Sequence, residues 1–383
     1  MKTIVVSAVN IVEAGPLTIL KACLATLSRL LSERDDQFRV IAVVHDKQLA
    51  YYPNITYIET RWPKKSWINR LWFEYVSLYQ VSKEIGDVYL WFSLHDTSPR
   101  VKAKYQAVYC HNALFDYRWK AKDLMFAPKM AVLAMLTKYI YKTNILHNNF
   151  LVVQQTWLRT AMSTMFSIDP KRIIIAPPAM PKKVLNLQDQ IVTKVNSFIY
   201  AGSPNKHKNF EVICRAAEIL FRDYKKTDFK VCITIKGDEN KYAKWLYKNW
   251  GHIPVIQFIG FLPRRVLIDY YNTCDCLIFP SLSESWGLPI SEFAVYGKYM
   301  LLADLPYAHE TAGGSRRTAF FEPEDAEGLA ALMCKLMAGE DEMFLRIPRP
   351  TPIEPFANDW EELFGLLLGE AQDYEQDNIK NRS

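Results

Sequence analysis

The chain has 383 residues, of which half are apolar, and its formal net charge is +6. This length predicts two or three folded domains, and the apolar content excludes a disordered protein. The basic residues gather mostly before residue 250, which favours an anionic ligand or a membrane surface over general nucleic-acid binding. The sequence has no recognition helix, zinc pattern or RNA-binding signature that would indicate nucleic acid.

The first half of the chain predicts a doubly wound unit. A strand at about 3–9 is followed by a loop that contains Gly15 and by a helix at about 17–32 with leucines at helical spacing. Gly15 lacks a Cβ, so the backbone there can approach a ligand closely, although a tight turn without a ligand explains it equally well. The absence of a GxGxxG pattern argues against a dinucleotide site. Further strands are predicted at about 38–45, 55–60, 88–93, 104–110, 150–155 and 172–177.

Two stretches of this half mix aromatic with basic residues, one at 61–86 and one at 117–122. Trp and Tyr interleaved with Lys and Arg suit the interface of an anionic membrane. The alternative is that the aromatic residues are helix core and the basic residues form its solvated face. No strict amphipathic period separates the two interpretations, so both stay open.

His111 directly follows the strand at 104–110, at a carboxyl edge where open α/β sheets bind ligands. It is therefore a candidate ligand contact, with a structural hydrogen-bonding role as the alternative. His45 also ends a strand, whereas His95 and His147 lie in loops, and nothing in the sequence joins them into a metal site.

The cysteines and the apolar stretches indicate the cellular compartment of the protein. The seven cysteines are scattered, and Cys274 and Cys276 have the spacing of alternate strand positions and not that of a redox or zinc site, so a reduced, cytoplasmic protein is expected. The N-terminus has no signal-peptide pattern. The apolar stretch 125–141 is interrupted by a proline and two lysines, which excludes it as a membrane span. Peripheral contact with the inner face of the plasma membrane stays open.

A proline-rich linker at 176–183 marks the predicted domain boundary. The predicted domains are 1–178, 179–352 and a C-terminal segment, 353–383, whose apolar helix is expected to pack back on the first domain before a frayed tail. After the linker, strands alternate with helices, which predicts a second parallel sheet. Its strands are expected at about 197–202, 229–236, 255–260, 276–279, 299–303 and 318–321, and its helices at about 209–222, 240–249, 264–273, 289–296 and 325–338.

Two segments of this second domain predict a phosphate site. After the strand at 197–202, Lys206 and Lys208 come to the start of a helix, where they suit a diphosphate; a solvated turn is the alternative. After the strand at 276–279, a short polar loop leads to a helix that begins at Pro289, so free N–H groups would lie at the carboxyl edge of the sheet.

Two carboxylates belong to the second of these segments. Glu284 lies in its loop and Glu292 lies eight residues later in the helix, so both can face one ligand. The alternative is a favourable charge in the first helical turn for Glu292 and a solvated position for Glu284.

Glu284 and Glu292, with Gly287-Leu288-Pro289 between them, resemble the E-x7-E signature of family 4 retaining glycosyltransferases. The resemblance extends over nearly the whole chain, with its specific matches in residues 197–325. It implies the GT-B fold, in which two Rossmann-like doubly wound domains face each other across a cleft.

The resemblance also implies a role for each site residue. Glu284 and the backbone amides that follow it would contact the donor sugar, and Glu292 would bind the ribose of the nucleotide. Lys208 would bind the diphosphate, Gly15 would face the leaving phosphate and His111 would contact the sugar. The donor-binding segment after Glu284 comprises Ser285, Trp286, Gly287, Leu288 and Pro289.

The sequence departs from the family at two positions. Ser203 stands where members often carry an arginine, so Lys206 becomes a candidate for neutralising part of the phosphate charge. Ala14 precedes Gly15 where a double glycine is common. Both departures weaken any inference about the identity of the donor.

The function that the resemblance implies is retaining transfer of a hexose-type sugar from a nucleotide-diphosphate sugar to a glycan acceptor. A polyprenyl-diphosphate-linked glycan, as in O-antigen or capsule assembly, would suit the aromatic and basic stretches. No Asp-x-Asp occurs in the chain, which fits a site that needs neither a metal nor a further cofactor. The alternatives are an epimerase or small-acceptor transferase on the same fold, and a non-catalytic partner that binds glycan or nucleotide.

Overall fold

The computed structural model describes residues 2–12, 14–33, 38–113, 115, 117, 120–179 and 194–369. Contacts divide the chain into two compact units. Unit 1 comprises Met1–Phe115, Leu136–Ala179 and Pro352–Ser383, and unit 2 comprises Asp116–Met135 and Met180–Thr351.

Unit 1 is built on seven strands rich in β-branched and aromatic residues: β1 (Lys2–Ala8), β2 (Phe38–Val44), β3 (Ile55–Glu59), β4 (Val88–Ser93), β5 (Tyr105–Cys110), β6 (Phe150–Val153) and β7 (Ile173–Ile175). They form one parallel sheet in the order β3-β2-β1-β4-β5-β6-β7. Most of their side chains are buried, as expected for a parallel sheet that is covered on both faces.

Unit 2 is built on six strands: β8 (Ser197–Tyr200), β9 (Lys230–Ile233), β10 (Ile256–Phe258), β11 (Cys276–Phe279), β12 (Tyr299–Ala303) and β13 (Thr318–Phe321). They form a second parallel sheet in the order β10-β9-β8-β11-β12-β13.

Helices connect the strands of both units. They are α1 (Ala14–Glu33), α2 (Trp67–Trp72), α3 (Leu78–Ile85), α4 (Ala121–Phe126), α5 (Pro128–Lys142), α6 (Thr156–Phe166), α7 (Phe210–Arg222), α8 (Lys241–Trp250), α9 (Arg264–Thr273), α10 (Leu288–Ala294), α11 (Pro306–Thr311), α12 (Ala326–Met337) and α13, over 360–369. Among the described residues, no helix combines the length and the apolar character that crossing a membrane requires.

The two parallel sheets confirm the predicted fold class, and an observed strand lies within a few residues of each predicted one. The helix starts need correction. Helix α1 begins at Ala14, so Gly15 lies in its first turn and not in a loop before it, because Pro16 is tolerated there. Helix α10 begins at Leu288, because Gly287 takes a positive φ of 87° at its N-cap. The helix ends at Ala294.

The segment that contains α4 packs within unit 2. The ring of Phe126 lies 5.4 Å from that of Tyr242 and 5.2 Å from that of Trp245, centroid to centroid. Asp123 is buried and accepts hydrogen bonds from the Tyr117 hydroxyl and the Lys120 backbone N–H.

Helix α13 packs into the core of unit 1. Leu363, Phe364 and Leu367 are buried there, and the Phe364 ring meets the Phe92 ring of β4 edge-on, 6.0 Å between centroids. The preceding segment is bonded to β7, because the N–H of Ile175 donates to the carbonyl of Pro355 at 3.0 Å. The chain thus returns to unit 1 after completing unit 2.

Replacing Phe364 by alanine is expected to lower the free energy of unfolding by about 3–5 kcal/mol, since it removes a buried ring and leaves a cavity. Gly365→Ala is the neighbouring control, because Gly365 has open space around its Cβ position and alanine is expected to stabilise the helix by about 0.5–1 kcal/mol. Urea denaturation followed by circular dichroism measures both changes. A similar loss in the two variants would contradict the packing of α13.

Candidate active site

The strand order of unit 2 reverses between β8 and β11, which pair directly although two strands separate them in sequence. In open α/β sheets, ligands bind outside the carboxyl ends of the strands at such a topological switch point. The loops that begin there are 201–209, after β8, and 280–287, after β11. They contain most of the site residues predicted from the sequence.

Hydrogen bonds fasten these two loops to each other. The backbone N–H of Leu282 donates to the carbonyl of His207 at 2.8 Å. Asn209 is buried, and its side-chain amide donates to the carbonyls of Pro280 at 3.2 Å and Pro323 at 2.6 Å, which adds the loop after β13. Sequence analysis missed this residue; its signal was an asparagine directly before a helix, where a left-handed backbone (φ 56°) is tolerated.

Lys208 and Glu284 form an ion pair at the switch point, with 2.5 Å between Nζ and Oε1. The two side chains are only 18% and 14% exposed. Lys208 is fixed further by its carbonyl, which accepts a hydrogen bond from the Tyr200 hydroxyl at 2.9 Å. The neighbouring His207 is neutral, because burial, and then the charge of Lys208, lowers its pKa to about 3. Lys208 is thus a sheltered cation whose charge the carboxylate of Glu284 balances.

Hydrogen bonds with residues of α10 and α11 hold the rest of the 280–287 loop in place. The Trp286 side chain is buried and donates from Nε1 to the Ser291 hydroxyl at 3.3 Å, and its carbonyl accepts from the Thr311 hydroxyl. The Tyr307 hydroxyl donates to the carbonyl of Ser281 at 2.6 Å. Trp286 therefore supports the loop with its side chain, while Ser285, Leu288 and Pro289 are partly exposed around it.

Glu292 is the fifth residue of α10 and has a cation of its own. Its Oε1 lies 3.0 Å from Nη2 of Arg264, at the start of α9. Burial raises the pKa of the Glu292 carboxyl, and the Arg264 charge partly opposes this rise. Sequence analysis missed Arg264, since nothing in its surroundings connects it to a residue 28 positions later.

Lys206 has different partners from Lys208. Its Nζ contacts the carboxylate of Glu211 and lies 3.6 Å from Oδ1 of Asp123. Ser203 is exposed, and its hydroxyl accepts a hydrogen bond from the Asn205 amide at 2.9 Å. Lys206, which the sequence predicts as a second cation for phosphate, is thus paired with two carboxylates, and its role stays a prediction.

Gly15 and His111 belong to unit 1. They follow β1 and β5, on either side of β4, so both lie at the carboxyl edge of that sheet. The backbone N–H groups of His111 and Asn112 donate to Oδ1 of Asp96, at 2.6 and 3.0 Å. Asp96, in a left-handed conformation with φ 64°, thereby fixes the start of the loop after β5. The Nδ1 atom of His111 is buried without a hydrogen-bond partner.

A buried ionic group holds the loop that carries Asp96. Glu74 is fully buried and accepts hydrogen bonds from Arg70 Nε at 2.9 Å and from the Thr97 hydroxyl. Arg70 also donates from Nη2 to the carbonyl of His95, at 2.9 Å. Burial, and then Arg70, lowers the pKa of His95 to about 3, so this ring is neutral. Within the described ranges, no three His, Cys, Asp or Glu side chains are grouped as metal ligands.

Part of the chain matches a known protein family. Residues 186–346 match the family described as "Glycosyl transferases group 1". The serotype-specific mannosyltransferase WbdA of Escherichia coli is 36% identical to this chain over 89 residues, which are 23% of this chain and 10% of that protein. The chain therefore spans about a tenth of the length of the curated relative that it matches.

Solved structures of similar fold cover nearly the whole chain. Sucrose-phosphate synthase from Thermosynechococcus elongatus superimposes with a TM-score of 0.64 over 99% of this chain and 100% of its own, at 14% sequence identity. WaaG, described as a glycosyltransferase involved in lipopolysaccharide biosynthesis, does so with a TM-score of 0.59 over 86% of this chain and 90% of its own, at 13% identity.

These two structures have the GT-B fold that the resemblance in the sequence predicted. Residues 186–346, which hold the Lys208–Glu284 pair, therefore resemble the group 1 glycosyltransferases, and the chain has a GT-B fold of two parallel-sheet units.

Proposed function

We propose that the protein transfers a sugar from a nucleoside-diphosphate sugar to a hydroxyl of a glycan acceptor, with retention at the anomeric carbon and without a metal ion. The observation that carries this proposal is the sheltered Lys208–Glu284 pair at the β8/β11 switch point. A cation and a carboxylate at one carboxyl edge match the two parts of such a donor, the phosphate and the sugar hydroxyls.

Charge development on the leaving diphosphate sets the main electrostatic requirement of this reaction. Lys208 is held by Tyr200 and by the turn Lys206–Lys208, so its ammonium is positioned before the donor arrives. A preorganised cation in a sheltered site stabilises developing negative charge without reorganisation. Glu284, released from Lys208, accepts hydrogen bonds from the sugar, and Glu292 accepts them from the ribose. The departing phosphate takes the proton of the acceptor hydroxyl, so the mechanism needs no separate base.

The acceptor in this proposal is a lipid-linked glycan of a cell-surface polysaccharide, bound by unit 1 at the inner face of the plasma membrane. The stretch shared with an Escherichia coli mannosyltransferase supports a hexose donor. The exposed aromatic and basic residues of unit 1 support a lipid-bound acceptor.

A donor screen tests the proposal directly. Release of nucleoside diphosphate from a panel of nucleotide sugars is measured with and without a polyprenyl-diphosphate-linked glycan, in EDTA and in Mg²⁺, and the anomeric configuration of the product is read by NMR. Transfer that depends on the acceptor, survives EDTA and retains configuration is expected. Epimerised donor, or no turnover of any donor, would contradict the proposal.

Lys208→Met is expected to lower kcat about 100- to 1,000-fold, as for the loss of one positioned group that stabilises developing negative charge. The control is Lys244→Met, on an exposed position of α8, which should leave kcat unchanged. Initial rates at saturating donor measure both. Equal activity of the Lys208 variant and the control would show that Lys208 does not bind the leaving diphosphate.

Glu292→Gln is expected to raise the Kd of the nucleoside diphosphate about 10- to 100-fold at pH 7.5, as for the loss of hydrogen bonds to a charged group. Because burial raises the pKa of Glu292, affinity in the parent protein should begin to fall at a higher pH than an ordinary glutamate (about 4.3) would give. Protonation removes the charge at low pH, so binding is strong above this pKa and weak below it.

Titration calorimetry between pH 4.5 and 7.5 measures this pH dependence. Glu292→Gln should abolish the part of the pH dependence of nucleoside diphosphate affinity that comes from protonation of Glu292. Arg264→Gln should move it to higher pH, since Arg264 favours the ionised carboxyl. An unchanged profile in both variants would contradict the assignment of Glu292 to the nucleotide.

A further inference from the structure

An apolar stripe lies on the surface of unit 1, on the helical segment that runs through α2, the π-helical turn Phe73–Ser77 and α3. Ile68, Trp72 and Val76, each four residues apart, are 75%, 60% and 40% exposed. Residues at this spacing lie on one face of a helix. With Trp67, which is also exposed, they form what we call the Trp72 stripe. Contiguous large apolar side chains on a surface indicate an interaction site.

The opposite face of the same segment is anchored, so the stripe cannot turn inward. Phe73 and Leu78 are buried in the core of unit 1, and Glu74 is fully buried in its contacts with Arg70 and Thr97. Burial of these groups fixes the rotation of the helix about its axis. The exposure of the stripe is therefore a consequence of the fold and not of a loosely attached helix.

Exposed lysines flank the stripe, and the first exposed carboxylate after it in the sequence is that of Glu84. Lys64 and Lys65 are exposed in the turn that precedes α2, and Lys83 is exposed in α3. The sequence from 60 to 73 contains no Asp or Glu, and Glu74 is inaccessible. From residue 62 to residue 83, a stretch that the structure describes completely, no acidic side chain reaches the surface. Arg61, directly before this stretch, forms an ion pair with Asp46, with 2.6 Å between Nη2 and Oδ2.

This combination selects one kind of partner. Indole rings lie at headgroup depth, aliphatic side chains enter the acyl boundary, and lysines meet lipid phosphates in an anionic bilayer. A second copy of the chain fits less well, because a two-fold interface centred on the stripe would bring the lysines of both copies close together.

We propose that the Trp72 stripe, with Lys64 and Lys65, docks unit 1 on the anionic surface of a phospholipid bilayer. This assignment deepens the proposed function, since it names the surface that would bring the protein to a lipid-linked acceptor. Binding is weak and reversible, because only one short apolar stripe and a few lysines contribute.

The experiment measures binding of the full chain to vesicles by co-sedimentation. One set of vesicles contains phosphatidylcholine with about a third phosphatidylglycerol, and the other contains phosphatidylcholine alone. Binding to the anionic vesicles only, weakened by salt, is expected. Ile68→Ser/Trp72→Ser should weaken it at least ~10-fold, and Lys64→Gln/Lys65→Gln should weaken it roughly fivefold for each lysine.

Phe261→Ser/Leu345→Ser is the matched control, because both of these side chains are apolar and exposed but lie in unit 2. This variant should bind like the parent protein. Thermal unfolding of every variant verifies that the fold is intact. Failure of the parent protein to bind anionic vesicles, or equal loss in the stripe variant and the control, would overturn the docking surface. A concentration-dependent dimer that the stripe variant abolishes, seen by sedimentation velocity without lipid, would assign the stripe to a second copy instead.

A water-soluble acceptor separates this inference from the proposed function. The stripe variant should transfer sugar to a soluble glycan at the parent rate while it fails to bind vesicles. Loss of soluble transfer in the stripe variant would show that these residues serve the active site and would contradict a docking role. Absence of transfer to both the soluble and the polyprenyl-diphosphate-linked glycan in the parent protein, with vesicle binding intact, would defeat the proposed function and leave the docking surface standing.

Discussion

Parallel pairing of the strands is the constraint on which both units depend. Because every strand of a sheet points the same way, all the loops that follow strands emerge at one edge. Where the strand order reverses, between β1 and β4 and between β8 and β11, neighbouring loops come from distant parts of the chain. Lys208 and Glu284, 76 residues apart in sequence, meet for this reason. The strand order of the sheet, more than local structure, therefore brings the residues of the candidate site together.

Buried and half-buried polar side chains then hold these loops in place. Asn209 binds carbonyls of two other loops, and Asp96 binds the first two amides of the loop after β5. Glu74, in turn, holds the loop of Asp96 through Thr97. Each of these groups is satisfied by several partners, as burial of a polar group requires. Loops fastened in this way present their functional side chains with little freedom, which is the condition for preorganised binding.

The sequence predicted the strands well, because runs of β-branched residues ended by Pro280 or interrupted by glycines are local signals. It also indicated Lys208, Glu284 and Glu292, which belong to a motif. The sequence did not indicate Asn209, Asp96 and Arg264 as site residues. Their partners lie on other loops or helices, and only the fold brings them together. Lys206 was grouped with Lys208 by proximity in sequence, whereas Glu211 and Asp123 hold its side chain.

The aromatic and basic stretch at 61–86 stayed ambiguous for a definable reason. The π-helical turn Phe73–Ser77 contains wider turns than an α-helix, so no single period of 3.6 residues describes the segment. Its exposed large apolar side chains, Ile68, Trp72 and Val76, recur every four residues instead. An amphipathic pattern is visible only when the position of that turn is known.

If the proposed function holds, the Lys208–Glu284 pair also bears on how incomplete ligands bind. A bare phosphate that takes Lys208 leaves Glu284 as a sheltered carboxylate without a cation, which is energetically costly. A ligand that carries both phosphate and sugar satisfies both residues. In the proposed reaction, transfer of the sugar would leave Glu284 able to return to Lys208 and to compete with the nucleoside diphosphate for it. Under the proposed function, the pair would act as an internal competitor that disfavours inorganic phosphate on entry and helps the nucleoside diphosphate to leave.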